Sequence, residues 1–105
     1  MKQFELKPWD RQKSYYGKAI VHCYESGWNM LQSYKTVVCG YNEKTGEFIR
    51  IWNNYSATTM KHIDSFRANY GLRGLGKKEW LNLPCEKNNE LVYMIEDYIK
   101  RYGRG

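Results

Sequence analysis

The chain has 105 residues and a mass of 12.6 kDa, which is the size of one domain. This length excludes large catalytic folds such as the (β/α)8 barrel of roughly 250 residues, and no apolar run approaches the ~20 residues that a membrane-spanning helix needs. The first residues, MKQFE, lack the apolar stretch of a signal peptide, so we expect a cytoplasmic protein with no membrane partner. The formal net charge of +6 favours a negatively charged partner.

The positive charge is concentrated in one interior segment. Residues 61–78 hold five basic residues against one acidic residue, whereas residues 79–97 hold five acidic residues against one basic residue. Aromatic residues make up 16% of the chain, and ten of them are tyrosines. Because tyrosine and tryptophan suit a core, a protein interface and base stacking alike, composition indicates a binding surface without choosing its partner.

The first predicted elements are an arm and a sheet. Residues 1–17 mix charges and aromatic residues without a clear period, so we predict either a short strand or a loosely packed N-terminal arm here, on a single domain that spans 1–105. From residue 18 to about residue 52, β-branched and aromatic residues are frequent, and the segment NEKTG at 42–46 has the chemistry of a hairpin loop. We therefore predict an antiparallel sheet of three to four strands over about 18–52.

Three helices are predicted after the sheet. Apolar residues recur every three or four positions behind the Ser/Thr-rich segment 56–59, which predicts a capped helix over about 57–70. Further apolar patterns predict helices at about 77–83 and 88–102. Strands followed by helices indicate an α+β domain with the helices packed on one face of the sheet.

The segment GLRGLGKK at 71–78 partly fits a phosphate-binding loop. It has the spacing G-x-x-x-x-G-K, but Lys78 stands where such a loop carries the Ser or Thr that holds Mg²⁺. This departure disfavours nucleotide hydrolysis. Two interpretations are left for the segment: it binds one phosphate at the start of a helix, or it is a connection between two helices.

Cations interleaved with aromatic residues form the candidate binding surface. Charged groups would contact phosphates while aromatic rings stack on bases. In the opposing interpretation the cations are simply solvated and the aromatic residues belong to the core. The candidate ligand-binding residues are Lys61, Arg67, Arg73, Lys77, Lys78, Arg50, Trp52 and Tyr55.

The histidines and cysteines form no recognisable catalytic or metal motif. Cys23, Cys39 and Cys85 are odd in number and lack C-x-x-C spacing, so we expect free thiols in a reducing compartment. His22 and His62 have no partner at zinc-ligand spacing, and we interpret His62 as a border residue of the first helix that bonds to its Ser/Thr segment or to the sheet. We therefore predict no catalytic residue, no metal and no cofactor.

Three segments resemble a family of small uncharacterised proteins from bacteriophages and bacterial mobile elements. They are SYKTVV at 33–38, YSATTMKHIDSF at 55–66 and KKEWL at 77–81, and the second follows the family pattern Y-S-x-T-T-x-x-H-I-x-x-F after a β-hairpin. The resemblance covers about half of the chain. It implies a phage setting, in which small accessory proteins bind nucleic acid or block a host enzyme or defence system.

We expect a non-enzymatic accessory protein that binds a phosphate-bearing partner, either nucleic acid or a nucleotide. The alternative is an anti-defence inhibitor that docks on a host protein through tyrosine and tryptophan side chains. The edges of a small sheet could pair with a second copy, so the sequence also leaves a homodimer open.

Overall fold

The computed structural model describes residues 2–6, 18–86 and 89–102. Within the predicted N-terminal arm, residues 2–5 form a strand, whereas residues 7–17 lie outside the described residues. Among the described residues, no helix is long and apolar enough to cross a membrane.

A five-stranded antiparallel sheet forms the centre of the fold. Its strands lie side by side in chain order, and they are β1 Lys2–Glu5, β2 Ala19–Cys23, β3 Trp28–Ser33, β4 Thr36–Asn42 and β5 Phe48–Arg50. Four of these strands lie within 18–52, as predicted, but the sheet has a fifth strand, β1, which the predicted count of three to four omits. All four side chains of β1 are exposed at the edge of the sheet, so its sequence KQFE shows no buried face.

An irregularity between β3 and β4 enlarges the apolar surface of β4. Leu31 pairs with Cys39 and Gln32 pairs with Val37, so Val38 is an extra residue in β4. An extra residue interrupts the alternation of side chains between the two faces of a sheet. Val38 and Cys39 accordingly belong to the same buried cluster, although they are neighbours in the chain.

The three predicted helices are present, and their ends lie within two residues of the prediction. They are α1 Ala57–Ala68, α2 Lys77–Asn82 and α3 Glu90–Tyr102. The backbone N–H of Thr59 donates to the Oγ of Ser56 at 3.1 Å, which caps α1 within the predicted Ser/Thr-rich segment. The turn after α1 contains Gly71, whose φ of 74° lies in the left-handed region that glycine adopts readily after a helix.

The helices pack on both faces of the sheet, so the prediction that they share one face is wrong. α1 and the side chain of Trp80 pack against Leu31 and Val38 in one buried cluster, whereas α3 packs against Met30 and Val37 in a second cluster. Neighbouring residues of a strand point to opposite faces of a sheet. The two clusters therefore lie on opposite sides of β3 and β4.

Hydrogen bonds allow polar residues of the sheet to be buried beneath α3. Gln3 donates from Nε2 to Nδ1 of His22 at 3.2 Å, and Nε2 of His22 donates to Oε1 of Gln32 at 2.8 Å. Tyr98 of α3 donates its hydroxyl to Oε1 of Gln3 at 3.2 Å, and its ring meets the His22 ring edge-on. Burial of a polar strand residue with such partners costs little free energy. The polar residues of these strands therefore gave no indication that a helix covers this second face of the sheet.

We predict that Ile95→Ala lowers the free energy of unfolding by about 2–5 kcal/mol, because it leaves a cavity in a core. Ile95 is 1% exposed in the cluster beneath α3. Met94→Ala is the matched control, since Met94 is 52% exposed on the same helix and should change stability by less than about 0.5 kcal/mol. Urea denaturation followed by circular dichroism measures both variants, and equal effects would contradict the docking of α3 on the sheet.

Candidate functional site

Arg50, the last residue of β5, uses its guanidinium to hold chain segments together. Its Nε donates to the carbonyl of Trp52 at 2.8 Å, and its Nη1 donates to the carbonyls of Leu81 and Leu83 at 3.2 and 3.1 Å. The guanidinium carbon lies 5.0 Å from the centroid of the Trp80 ring. Arg50 is only 6% exposed, so it ties α2 to the end of the sheet and does not present its charge to a ligand.

Arg67, in the last turn of α1, is held in a similar way. Its Nε donates to the carbonyl of Arg73 at 2.9 Å, and its guanidinium carbon lies 4.5 Å from the centroid of the Phe48 ring. The side chain is buried between α1, β5 and the loop that follows α1. Arg67 therefore stabilises this loop instead of extending from the surface.

Arg73 is exposed, but it is paired with an acidic residue of α2. Its guanidinium binds both carboxylate oxygens of Glu79, with 2.9 Å between Nη1 and Oε1. Hydrogen bonding to Arg73, together with the backbone N–H of Gly76, lowers the pKa of Glu79 to about 2. The carboxylate is therefore charged at neutral pH, and it neutralises Arg73 within the segment predicted to attract phosphate.

The phosphate-loop-like segment 71–78 turns backbone N–H groups toward carboxylates of the chain itself. The N–H of Leu75 donates to Oδ1 of Asp64 at 2.9 Å, and the N–H of Gly76 donates to Oε1 of Glu79 at 3.4 Å. Of the two interpretations of this segment, the geometry favours the connection between helices.

Three predicted lysines lie on the surface near the starts of α1 and α2. Lys61, Lys77 and Lys78 are exposed, and the ammonium of Lys77 lies 4.9 Å from the centroid of the Tyr55 ring, one residue before the α1 cap. Trp52 lines a cleft beside α3. The structure thus brings Lys77 and Tyr55 of the predicted set into contact, while the three arginines make contacts within the fold.

Two lysines absent from the predicted set extend this surface. Lys35 lies in the β3–β4 turn, and Lys18 precedes β2, where its carbonyl accepts a hydrogen bond from the N–H of Tyr34 at 2.7 Å. The Tyr34 ring lies 5.6 Å from that of His62 in α1, and Lys61 is the exposed neighbour of His62. We call this group of lysines the basic end, and it consists of Lys18, Lys35, Lys61, Lys77 and Lys78.

The opposite end of the sheet is acidic on balance. Three glutamates lie in the turns at 24–27 and 43–47, against two lysines at this end. They are Lys44, whose Nζ donates to the carbonyl of Glu25 at 2.9 Å, and Lys2, which pairs with Cys23. Antiparallel pairing places these turns at the end away from Tyr34 and Lys35. Positive and negative charge are therefore separated along the strand direction. This separation is not visible in the order of residues along the chain.

Tyr34 has an unusual backbone conformation within the basic end. Its φ is 56°, and among the described residues it is the single non-glycine with a positive φ. Two-residue hairpin turns with this geometry favour glycine or asparagine, and a bulky residue there is strained. The residue is nevertheless 39% exposed. The sequence already indicated a strained turn, because SYKT joins two strand-like segments without the glycine or asparagine that such a turn favours.

Three polar side chains beside Tyr34 connect β3 to α1. The Oγ of Ser33 lies 2.8 Å from Nδ1 of His62 and 3.2 Å from Oγ1 of Thr59. Burial, with a smaller effect of Lys18, lowers the pKa of His62 to about 4, so its imidazole is neutral at neutral pH. Serine beside a neutral histidine is a pairing that nucleophilic catalysis uses, but Ser33 is only 2% exposed. The pair is enclosed, and its role is to join α1 to the sheet.

The three cysteines are free thiols in different surroundings. Burial raises the pKa of the Cys39 thiol, and burial together with the charge of Glu43 raises the pKa of Cys23, which makes both poor nucleophiles. Exposed Cys85 donates its S–H to the carbonyl of Ile51, with 2.7 Å between S and O. In the described part of the chain, no group of three or more His, Cys, Asp or Glu side chains could hold a metal ion.

We predict that Arg50→Met lowers the free energy of unfolding by about 2 kcal/mol or more, because three partly buried backbone carbonyls lose a charged donor. Lys78→Met is the control, since Lys78 is exposed and its replacement should change stability by less than about 0.5 kcal/mol. Urea denaturation compares the two variants. An Arg50→Met protein as stable as Lys78→Met would show that Arg50 does not hold the fold.

We predict that the free energy of unfolding decreases as the pH falls from about 7 to about 5. The pKa of His62 is about 4 in the folded protein and near its usual 6.5 in the unfolded chain, so only the unfolded chain gains a proton in this window. Burial lowers the pKa of His22 as well, and its contribution has the same sign.

His62→Gln removes the larger of these two titrations. The variant should be less stable than the natural chain at neutral pH, but its stability should depend less on pH over the same range. Urea denaturation at several pH values gives this dependence directly. A dependence as steep as that of the natural chain would contradict a neutral, buried His62.

Comparison with known proteins places the chain in a family. The model of DUF8033, a family of unknown function, matches residues 4–82, which is about three quarters of the chain. The matched residues begin in β1, end with α2 and include the basic end, whereas α3 lies outside them. No curated protein and no solved structure matches the chain significantly. The chain therefore belongs to DUF8033, a family of unknown function.

Proposed function

We propose that this protein is a non-enzymatic binding protein that takes single-stranded nucleic acid on its basic end. The observation that carries the proposal is Tyr34, an exposed aromatic side chain in a strained turn among lysines. Lys35 follows it in the turn, and Lys18 is joined to it by a backbone hydrogen bond.

Each part of the basic end has a counterpart in a nucleic acid strand. Ammonium groups contact phosphates and release counterions, whereas aromatic rings stack on bases of any sequence. Tyr34 contacts His62 and is 39% exposed, and Tyr55 lies beside Lys77. The lysines come from a turn, from α1 and from α2, and this extended distribution suits a strand better than a free nucleotide.

The backbone of Tyr34 supports a role for its ring in binding. Glycine adopts a φ of 56° without strain, so tyrosine at this position costs stability that the turn itself does not require. Strained residues of this kind are concentrated at sites that contact ligands. The contact with His62 offsets part of the strain and orients the ring.

The proposal revises the set of residues expected from the sequence. It retains Lys61, Lys77, Lys78 and Tyr55, adds the hairpin and Lys18, and assigns the arginines to the fold because of their contacts with carbonyls, rings and Glu79. The phage or mobile-element setting and the alternative of docking on a host protein stay predictions.

We predict that the protein binds a fluorescein-labelled oligothymidylate of about 20 nucleotides in a fluorescence anisotropy titration, with an affinity that falls steeply as salt rises. The triple variant Lys18→Gln, Lys35→Gln, Lys61→Gln should bind at least about tenfold more weakly and show a smaller salt dependence, since it loses phosphate contacts. Lys100→Gln is the matched control, because Lys100 is an exposed lysine of α3.

Tyr34→Gly tests base stacking separately from charge. Loss of one stacking contact should weaken binding roughly 5- to 150-fold, while the free energy of unfolding is maintained or raised because glycine fits the turn. The proposal is overturned if the natural chain does not bind at low salt. It is equally overturned if the triple variant binds as tightly as Lys100→Gln.

A further inference from the structure

A cleft of about 370 Å³ lies between α3 and the adjacent part of the sheet. Its inner lining is apolar and buried, whereas the side chains at its rim are aromatic, acidic or hydroxylated and more exposed. The inner residues are Val37, Ile51 and Val92, and the rim residues are Thr36, Trp52, Tyr93 and Glu96. A space of this volume accommodates one long side chain or a small ligand.

Glu96 supplies negative charge at the rim of this cleft. Tyr93 and Glu96 are three residues apart on α3, so they share one face of the helix. In the described residues, Arg101 forms its ion pair with Asp97, and Glu96 makes no ion pair with Lys100 or another described cation. The carboxylate of Glu96 is therefore available to a cationic ligand.

We infer that this cleft binds an arginine side chain of a partner protein. A guanidinium group stacks on aromatic rings and pairs with a carboxylate through two parallel hydrogen bonds. Its methylene stem can cover the apolar inner surface while the charged group stays at the rim. Charge complementarity selects this occupant, because an aromatic cleft whose rim carries a carboxylate without an ion pair to a described cation favours a positively charged group.

The fold already contains two contacts between a guanidinium group and an aromatic ring, which is the kind of contact that the inference requires. The guanidinium of Arg50 lies over the Trp80 ring, and that of Arg67 lies over the Phe48 ring. The inference goes beyond nucleic acid binding and does not depend on it, since none of the side chains that it uses belongs to the basic end.

The test is a titration of the ¹⁵N-labelled full chain with the acetylated peptide amide Gly-Ser-Arg-Ser-Gly, followed by NMR. The control peptide carries citrulline, a neutral isostere, in place of arginine. We expect the arginine peptide to shift the indole signal of Trp52 and the backbone signals of Ile51 and Val92. It should bind at least about fivefold more tightly than the citrulline peptide, because only arginine pairs with the carboxylate.

Two variants assign the effect to the cleft. Glu96→Gln should reduce the affinity for the arginine peptide to that of the citrulline peptide, whereas Asp97→Asn, at the next position of α3, should leave it unchanged. Both positions are exposed, and thermal melting verifies that each variant is folded.

Three results would overturn the inference: equal binding of the two peptides, no shift at the cleft at millimolar peptide, or an unchanged affinity in Glu96→Gln. Each leaves nucleic acid binding at the basic end unaffected, because that function is measured with a different probe and different variants.

Discussion

Burial of the sheet on both faces is the constraint on which the rest of this structure depends. α1 covers one face of β3 and β4, and α3 covers the other. Polar side chains in the strands must therefore find partners inside the protein, and Gln32 bonds to His22 while Ser33 bonds to His62. Both imidazoles are consequently held neutral by burial. Residues that resemble catalytic groups thus serve to join strands to one another and to α1.

The cations of this small domain divide by chemistry into two roles. Arg50 and Arg67 place their guanidinium groups on aromatic rings and donate to backbone carbonyls, and Arg73 pairs with Glu79. Arginine suits these positions because its planar, weakly hydrated group offers several donors in fixed directions. Lysine carries a compact and strongly hydrated charge, and the lysines of the basic end stay on the surface. Arg50, Arg67 and Arg73 therefore stabilise the fold, while the lysines of the basic end keep their charge at the surface.

Two surfaces of this domain differ in the sign of their charge. The basic end combines ammonium groups with Tyr34 and Tyr55, whereas the cleft at α3 combines Trp52 and Tyr93 with a carboxylate. The residues matched by the family model include the first surface, but they end before α3. Aromatic residues are abundant at both places, so the sign of the neighbouring charge, and not the aromatic content, distinguishes the ligands that each surface suits.

Local signals in the sequence determined the α+β class and the three helices, because helical spacing, the Ser56 cap and Gly71 act within a few residues. The same signals could not decide whether β1 forms, because it has no buried face, and they did not reveal the second covered face of the sheet, whose polar residues bond to distant partners. Only the tertiary structure decided which charges reach solvent. Arg50 meets the carbonyls of Leu81 and Leu83 some thirty residues later in the chain. The turn of Tyr34 and Lys35 likewise meets distant residues, through a hydrogen bond to Lys18 and a ring contact with His62. The partner of a charged group depends on three-dimensional proximity, which the position of a residue in the chain does not specify.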